Sequence, residues 1–405
     1  MNRLASALSV AVTAAVFSGC AQSSLQHNAF APTAASFAPR AVAETILHSF
    51  GKGYDGAYPY AELVAVKGVF YGTTSDGGKN GTGTVFSIDA QGREKTLHSF
   101  GNANGDGQSP HAGLVYVNGT LYGVTGNGGA NATGAVFSIT TAGAEKVLYS
   151  FGPADSTDGS APYATLLYAD GALYGTTLYG GESGQLGLGT LFSVTLDGKE
   201  KVLHAFGGGS DGFTPEAQLV DVKGTLYGTT AEAEESQGAL FKISPSGSGY
   251  KVLHYFDPDT AGPSGLIYEN GLLYGVTGGG VNAVGTFYSS TLSGQVKKLY
   301  ELLGDNGLDV IHPFGAIAYA HGYFYLAGGQ GGSGSHGGIA RITATGKENV
   351  LYSFGVTNGV LNPKDGMQPG AGPIYYKNDL YGTTQWGGVN PFNGEGGGTV
   401  YKIHP

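Results

Sequence analysis

Residues 113–151 read "GLVYVNGTLYGVTGNGGANATGAVFSITTAGAEKVLYSF". Four short segments within it, 113–117, 121–125, 134–139 and 145–151, are rich in Val, Leu, Tyr, Phe and Ile and have strand character. Asn118-Gly119 separates the first two, the dipeptide favoured in a two-residue hairpin because both positions take positive φ. The second and third are joined by a glycine-rich loop, the third and fourth by a short polar turn. We label the four strands A to D. No segment keeps a 3.6-residue apolar period over ten positions, which excludes a helical unit.

The unit recurs. The string "LHSF" or a variant starts at Leu47, Leu97, Leu148, Leu203, Leu253, Leu299 and Leu351, at offsets of 50, 51, 55, 50, 46 and 52 residues. "YGTT" or a variant starts at Tyr71, Tyr122, Tyr174, Tyr227, Tyr274, Tyr325 and Tyr381, and "TVFSI" or a variant ends at Ile88, Ile139, Val194, Ile243, Ser290, Ile342 and Ile403. Three strings held in phase through seven copies define a tandem array of four antiparallel strands per ~50 residues, the unit of a kelch-like β-propeller blade. The array starts with a D strand alone, "ETILHSF" (44–50), and ends with A, B and C alone, "GPIYY", "LYGTT" and "TVYKI". A linear stack would leave both edges open, whereas a ring lets the N-terminal D strand complete the C-terminal blade. The sequence therefore predicts an all-β, seven-bladed propeller over 44–405, closed by its N-terminal D strand.

The glycines are read as architectural. The Gly of Tyr-Gly-Thr-Thr is expected to permit close backbone approach between neighbouring sheets, and those of the B–C loop to supply positive φ. A phosphate-loop reading of "GGKNG" fails, because no GK[ST] follows and a strand succeeds it instead of a helix.

With "YGTT", a Gly-rich loop, "GTVFSI" and "EKTLHSF" in phase from residue 44 to 403, the chain resembles the GloVer-type tandem-repeat family of exported bacterial proteins. The resemblance implies repeat architecture, export and anchoring, and brings no catalytic residue with it.

The N-terminus fits export. Arg3 precedes an apolar stretch from Leu4 to Phe17, shorter than the ~20 residues of a spanning helix. "FSGC" follows and resembles a bacterial lipoprotein signal, in which a cysteine preceded by small residues is lipidated. An ordinary secretory signal with an incidental cysteine is the alternative. The expected division is a signal peptide over 1–19, a lipid-anchored tether over 20–43 that is rich in Ala, Ser and Pro, and the propeller over 44–405. Cys20 is the only cysteine, so no internal disulfide exists, and Ala21 in place of an acidic residue implies the outer membrane by analogy.

Of the 405 residues 74 are Gly, and the formal net charge of −10 comes without any basic run. A nucleic-acid partner is excluded by that charge distribution. The expectation is a monomer without cofactor or metal, met by a polysaccharide or an envelope protein.

Function is expected on the long-loop face, where the D–A and B–C connections emerge. Asp55, Asp106, Asp158, Asp211, Asp309 and Asp365 recur in the D–A loops, and the structural reading is that each accepts backbone N–H groups of its own turn. "NANGDG" (102–107) lacks the closing Glu of a calcium loop. Residues that vary from blade to blade are the informative ones. Tyr60, His111, Tyr163, Glu216, Phe314 and Gly370 stand after the loop prolines at the entry to strand A, with Ser264 near the offset fifth copy. Rings that stack, beside one His and one Glu, suit a sugar or peptide; packing against neighbouring loops is the competing reading. The last B–C loop, "QWGGVNPFNGEGGG" (385–398), adds Trp386, the only tryptophan, and Phe392. No G-x-S-x-G, H-E-x-x-H or cysteine nucleophile marks a catalytic centre, and Glu62 with Glu216 is the candidate carboxylate pair for glycoside hydrolysis. The resulting ligand-binding set is Tyr60, His111, Tyr163, Glu216, Phe314, Trp386 and Phe392. A polysaccharide-degrading enzyme working at the channel mouth and a structural envelope protein are the alternatives.

Overall fold

A computed structural model describes residues 42 and 44–405, except 154–156, 182–186, 208, 234–235, 280–283, 304–308, 358–359 and 395. The signal segment, Cys20 and nearly all of the tether lie outside the described residues. The chain forms seven antiparallel sheets of four or five strands, each one blade. Blade 1 comprises Val64–Val66, Val69–Thr74, Thr84–Asp89 and Glu94–Ser99 as strands A to D, in that spatial order. Blades 2 to 6 repeat the pattern, and blade 6 adds Val310–Pro313 beside its B strand. Blade 7 takes Ile374–Tyr376, Asp379–Thr384 and Thr399–Ile403 from the C-terminus and its D strand, Glu44–Ser49, from the N-terminal end of the array. That strand pairs from Glu44 opposite Ile403 to Ser49 opposite Thr399, the closure that the sequence predicts.

Local chemistry explains why the motif takes this form. In every A–B turn both central residues have positive φ, as in Lys67-Gly68 (52° and 88°) and Lys377-Asn378 (48° and 68°), the mirror-image turn suited to twisted hairpins. A β-bulge interrupts every C–D pairing at the same place: Leu47, Leu97 and their five equivalents are the extra residue. The leucine of "LHSF" thus bends each outer strand.

The apolar core lies between blades. Phe50, Leu63, Phe70, Phe86, Ile88, Tyr381 and Val400 form one buried cluster that joins blade 7 to blade 1. Equivalent clusters fill the six other seams. No blade buries its faces alone, so the ring stabilises each blade through both neighbours.

The two kinds of recurrent glycine have different jobs, and one expectation is corrected. The strand-B glycine does not bring sheets together; it leaves room for an aromatic ring of strand C in its own blade. A Cβ at Gly72 would lie 2.7 Å from Phe86 Cζ and 2.9 Å from Leu63 Cδ2. Close approach between blades occurs instead at the glycine just before strand C. Gly83, at φ +96°, would put a Cβ 2.8 Å from Pro110 Cδ of the next blade, and the same Gly–Pro contact recurs at all seven seams.

Candidate binding site at the channel mouth

The route to the site starts at the loop prolines. The residue before each proline is left-handed: Tyr58, Ser109, Ala161, Thr214, Gly262, His312 and Gln368 all have φ between 51° and 64°. Such backbone costs about 1–3 kcal/mol for a non-glycine residue, so the surroundings must hold it. They do: each of these amides donates to a carbonyl of the preceding blade's B–C loop, from Tyr58 N to Gly397 O (2.8 Å) round to Gln368 N to His336 O (2.8 Å). The kink sets the residue after each proline at the entry to strand A, the position that the sequence reading assigns to the channel mouth.

Threonine fixes those residues from behind. The first Thr of "YGTT" donates its hydroxyl across the seam: Thr383 to Ala61 O (3.0 Å), Thr73 to Ala112 O (2.8 Å) and Thr176 to Pro215 O (3.0 Å). These carbonyls flank Tyr60, His111 and Glu216. Blade 2 has Val124 in that place, and Tyr163 is seated instead on Gly126, where a Cβ would stand 2.9 Å from its ring.

Three of the sequence-predicted residues come together. His111 lies between Tyr60, at 5.1 Å centroid to centroid, and Tyr163, at 4.9 Å, a continuous aromatic run over blades 1, 2 and 3. Gln385 Nε2 donates to the Tyr60 hydroxyl at 2.5 Å. Burial and then the Asp76 charge raise the Tyr60 phenol, and burial raises that of Tyr163, so both stay protonated donors. Burial depresses the His111 imidazole to about 4, against the opposing pull of Asp76, and the ring is neutral at physiological pH. Its two nitrogens make none of the hydrogen bonds found among the described residues, which leaves one donor and one acceptor for a ligand.

Glu216 follows on blade 4. Its side chain is exposed, yet desolvation of the carboxyl by the surrounding protein, reinforced by the Glu232 charge, raises its pKa. The opposite side of the mouth is plainer. Phe314 is 48% exposed, and Gly370 lies under Tyr60, where a Cβ would meet Tyr60 O at 2.7 Å.

Trp386 and Phe392 sit at the closing seam, half-buried on Tyr58, with ring centroids 4.5 and 5.3 Å away. Asn393 Nδ2 bonds the Tyr58 hydroxyl at 3.4 Å, and Trp386 exchanges backbone hydrogen bonds with Met367. Trp386 adjoins Gln385, and so borders the aromatic run without belonging to it. Glu62 faces Gly113 of the next blade, where a Cβ would stand 2.7 Å from its Oε1.

A second set of polar contacts runs along the outer D strands. The recurrent aspartates do accept backbone amides of their own turns, as at Gly51 and Lys52 to Asp55, Gly152 to Asp158 and Gly207 to Asp211. Each also engages the second residue of the "LHSF" string: His48 to Asp55 (3.0 Å), His98 to Asp106 (3.3 Å), Tyr149 to Asp158 (2.5 Å) and His204 to Asp211 (2.9 Å). A glutamate from the following blade's D strand completes several of these groups. Burial raises Glu94, Glu200 and Glu348 to about 7 each; the charges of Asp55, Asp158 and Asp309 push the same way, with His48 opposing at Glu94. Sequence reading missed these groups because the His or Tyr served only as a marker of phase; the recurrence of an aspartate seven to nine residues after it in five copies was the available signal.

The profile of the Gloeobacter/Verrucomicrobia repeat matches residues 15–237, more than half of the chain. The chain belongs to this repeat family. No curated protein matches it significantly. Among solved structures, the family's propeller here is similar to an oligogalacturonate lyase from Vibrio parahaemolyticus, at TM-score 0.54 and 12% identity, covering 90% of this chain and 93% of the other. A gluconolactonase from Xanthomonas campestris matches at TM-score 0.40 and 14% identity over 68% and 82% of the two chains. A nidogen/laminin complex matches at 0.43 and 14% over 67% and 91%. At such identities the likeness is one of fold.

Proposed function

We propose that this member of the repeat family is a carbohydrate-binding module displayed on the cell envelope, with the Tyr60–His111–Tyr163 run as the binding surface. The observation that carries the reading is the run itself: three half-buried rings from adjacent blades, uncharged and rich in hydrogen-bond edges, beside the carboxyl of Glu216. Sugar rings present C–H faces to aromatic rings and hydroxyls to polar edges, and this surface offers both. A protein interface would favour one contiguous apolar patch, whereas Tyr54, Tyr179, Phe314 and Val389, exposed large apolar side chains of the long-loop face, come from the loops of four different blades.

Binding is favoured over turnover by the state of His111. An imidazole held at about 4 is neutral but a weak base, whereas proton abstraction works best from a group poised near the operating pH. Since one structural neighbour is an oligogalacturonate lyase, polyuronates belong among the ligands tested, with unsaturated products assayed alongside.

Calorimetric titration with neutral and acidic polysaccharides tests the surface. Tyr60→Ala and His111→Ala are each expected to weaken binding of the cognate glycan about five- to thirtyfold, each ring accounting for about 1–2 kcal/mol, while Phe392→Ala leaves it within threefold. Equal affinities in all four proteins would remove the binding surface from this mouth. Display rests on Cys20: Cys20→Ser is expected to move the protein from the membrane fraction to the soluble exported fraction. Unchanged fractionation would exclude the lipid anchor.

A further inference from the structure

We propose that His98, Asp106 and Glu145 form a binding site for a divalent cation of the zinc class, bridging the D strands of blades 1 and 2. One donor atom from each of the three lies within 4.8 Å of the others, the sole such group among the described residues. His98 belongs to strand D of blade 1, Asp106 to the following loop and Glu145 to strand D of blade 2.

An unmet buried valence beside an imidazole points to a ligand; Glu44, Glu200 and Glu348 have the same unmet Oε1, but each stands beside a tyrosine in place of the histidine. The Asp106 side chain is only 5% exposed, and its Oδ2 lies 3.1 Å from Asn102 N and 3.3 Å from His98 Nε2. Its Oδ1 is buried and accepts no hydrogen bond, and the same holds for Glu145 Oε1. An unpaired buried polar atom costs about 1–3 kcal/mol, and here two such oxygens belong to one cluster.

The seam one blade earlier shows what satisfied versions of these residues look like. There Asp55 Oδ1 takes the amides of Gly51 and Lys52, Oδ2 takes His48, and Glu94 Oε1 takes the Thr96 hydroxyl. Blade 2 has Val147 where blade 1 has Thr96, so Glu145 lacks that donor. Elsewhere the set is broken: Tyr149, Tyr300 and Tyr352 replace the histidine, and Tyr250 and Val296 replace the glutamate.

The donors decide the metal class. One imidazole and two carboxylates balance a doubly charged cation, and a nitrogen ligand selects zinc-like ions over calcium or magnesium. Three protein ligands leave a fourth tetrahedral position for water. Zinc ligands at roughly 2.0–2.2 Å sit about 3.3–3.6 Å apart, so side-chain rotation closes the cluster on the ion. Bound there, the ion fastens two D strands, with the His98 ring already set edge-on against Phe100 at 4.8 Å.

The test uses the full chain without an affinity tag and with Cys20→Ser, so that neither supplies a competing ligand. Zinc is added, excess is removed by gel filtration, and metal is counted by mass spectrometry alongside Tm and calorimetric affinity. The expected result is one zinc per chain, a Tm raised by several degrees, and affinity lowered at least tenfold by Glu145→Gln and by His98→Asn. Glu94→Gln retains full zinc binding. Gln keeps the size and shape of the Glu side chain, and the metal-free Tm of Glu145→Gln checks that the variant folds. No stoichiometric zinc, zinc retained unchanged in Glu145→Gln and His98→Asn, or saturation by calcium that zinc does not displace would each overturn the proposal.

Discussion

Blade 6 breaks the rule set by Gly72 and Phe86, and the break is instructive. Where other blades pair a strand-B glycine with a strand-C aromatic, blade 6 has Leu326 opposite Ala340, both fully buried. The bulk has crossed from one strand to the other while the filled volume stays similar. Leu326→Gly alone should open a cavity, and Ala340→Phe alone should overpack; each is expected to destabilise by about 2–4 kcal/mol. The double variant restores the Gly/Phe pair of the other blades and should recover more than half of the summed loss, a non-additivity read by urea denaturation. Additive losses would show that the two positions do not share one volume. The sequence announces that a glycine is required within "YGTT", yet its partner lies on another strand, so the reason becomes visible only when register brings Gly72 opposite Phe86. Mouth residues were more legible, because Tyr60, His111 and Tyr163 follow a proline that marks their place in each copy. Gln385 and the seat of Trp386 on Tyr58 were not, since both depend on the contact between the last blade and the first.

At the scale of elements, the D strand holds the main pH-sensitive groups. Glu94, facing His48 and Asp55, Glu200, facing Asp158 and Tyr149, and Glu348, facing Asp309 and Tyr300, have carboxyls raised to about 7. A carboxyl raised in the folded state holds its proton more tightly there than in the unfolded chain. Its stabilising effect is complete below about pH 4.5 and is lost as pH rises through 7. Tm is therefore expected to fall between pH 5 and pH 8. The triple replacement Glu94→Gln, Glu200→Gln and Glu348→Gln should reduce that slope, with Glu44, raised to about 10 by burial and then by Asp365, keeping part of it, while leaving the pH 5 value nearly unchanged. A slope that steepens or stays the same in the variant would assign the pH dependence to other groups. These glutamates recur three residues before the "LHSF" leucine, but the sequence alone does not say that they reach back to the previous blade's aspartate.

At the scale of the molecule, repetition made the architecture readable: strands, turns and closure were all expected from phase, and the seven sheets with the Glu44–Ser49 strand in blade 7 agree. The same repetition hid function, because a repeated residue serves every seam alike and only departures from the repeat can form a unique surface. The aromatic run on one side of the mouth is such a departure, and the central claim is that it binds a glycan. One measurement tests this most directly: titrating the chain with the polysaccharide panel while following the fluorescence of Trp386, which borders the run through Gln385, and assaying the same samples for new reducing ends and unsaturated products. The account predicts a saturable spectral shift with one class of glycan, weakened by Tyr60→Ala and unaccompanied by product. Product formation, or saturable binding left unchanged by Tyr60→Ala and His111→Ala, would contradict it.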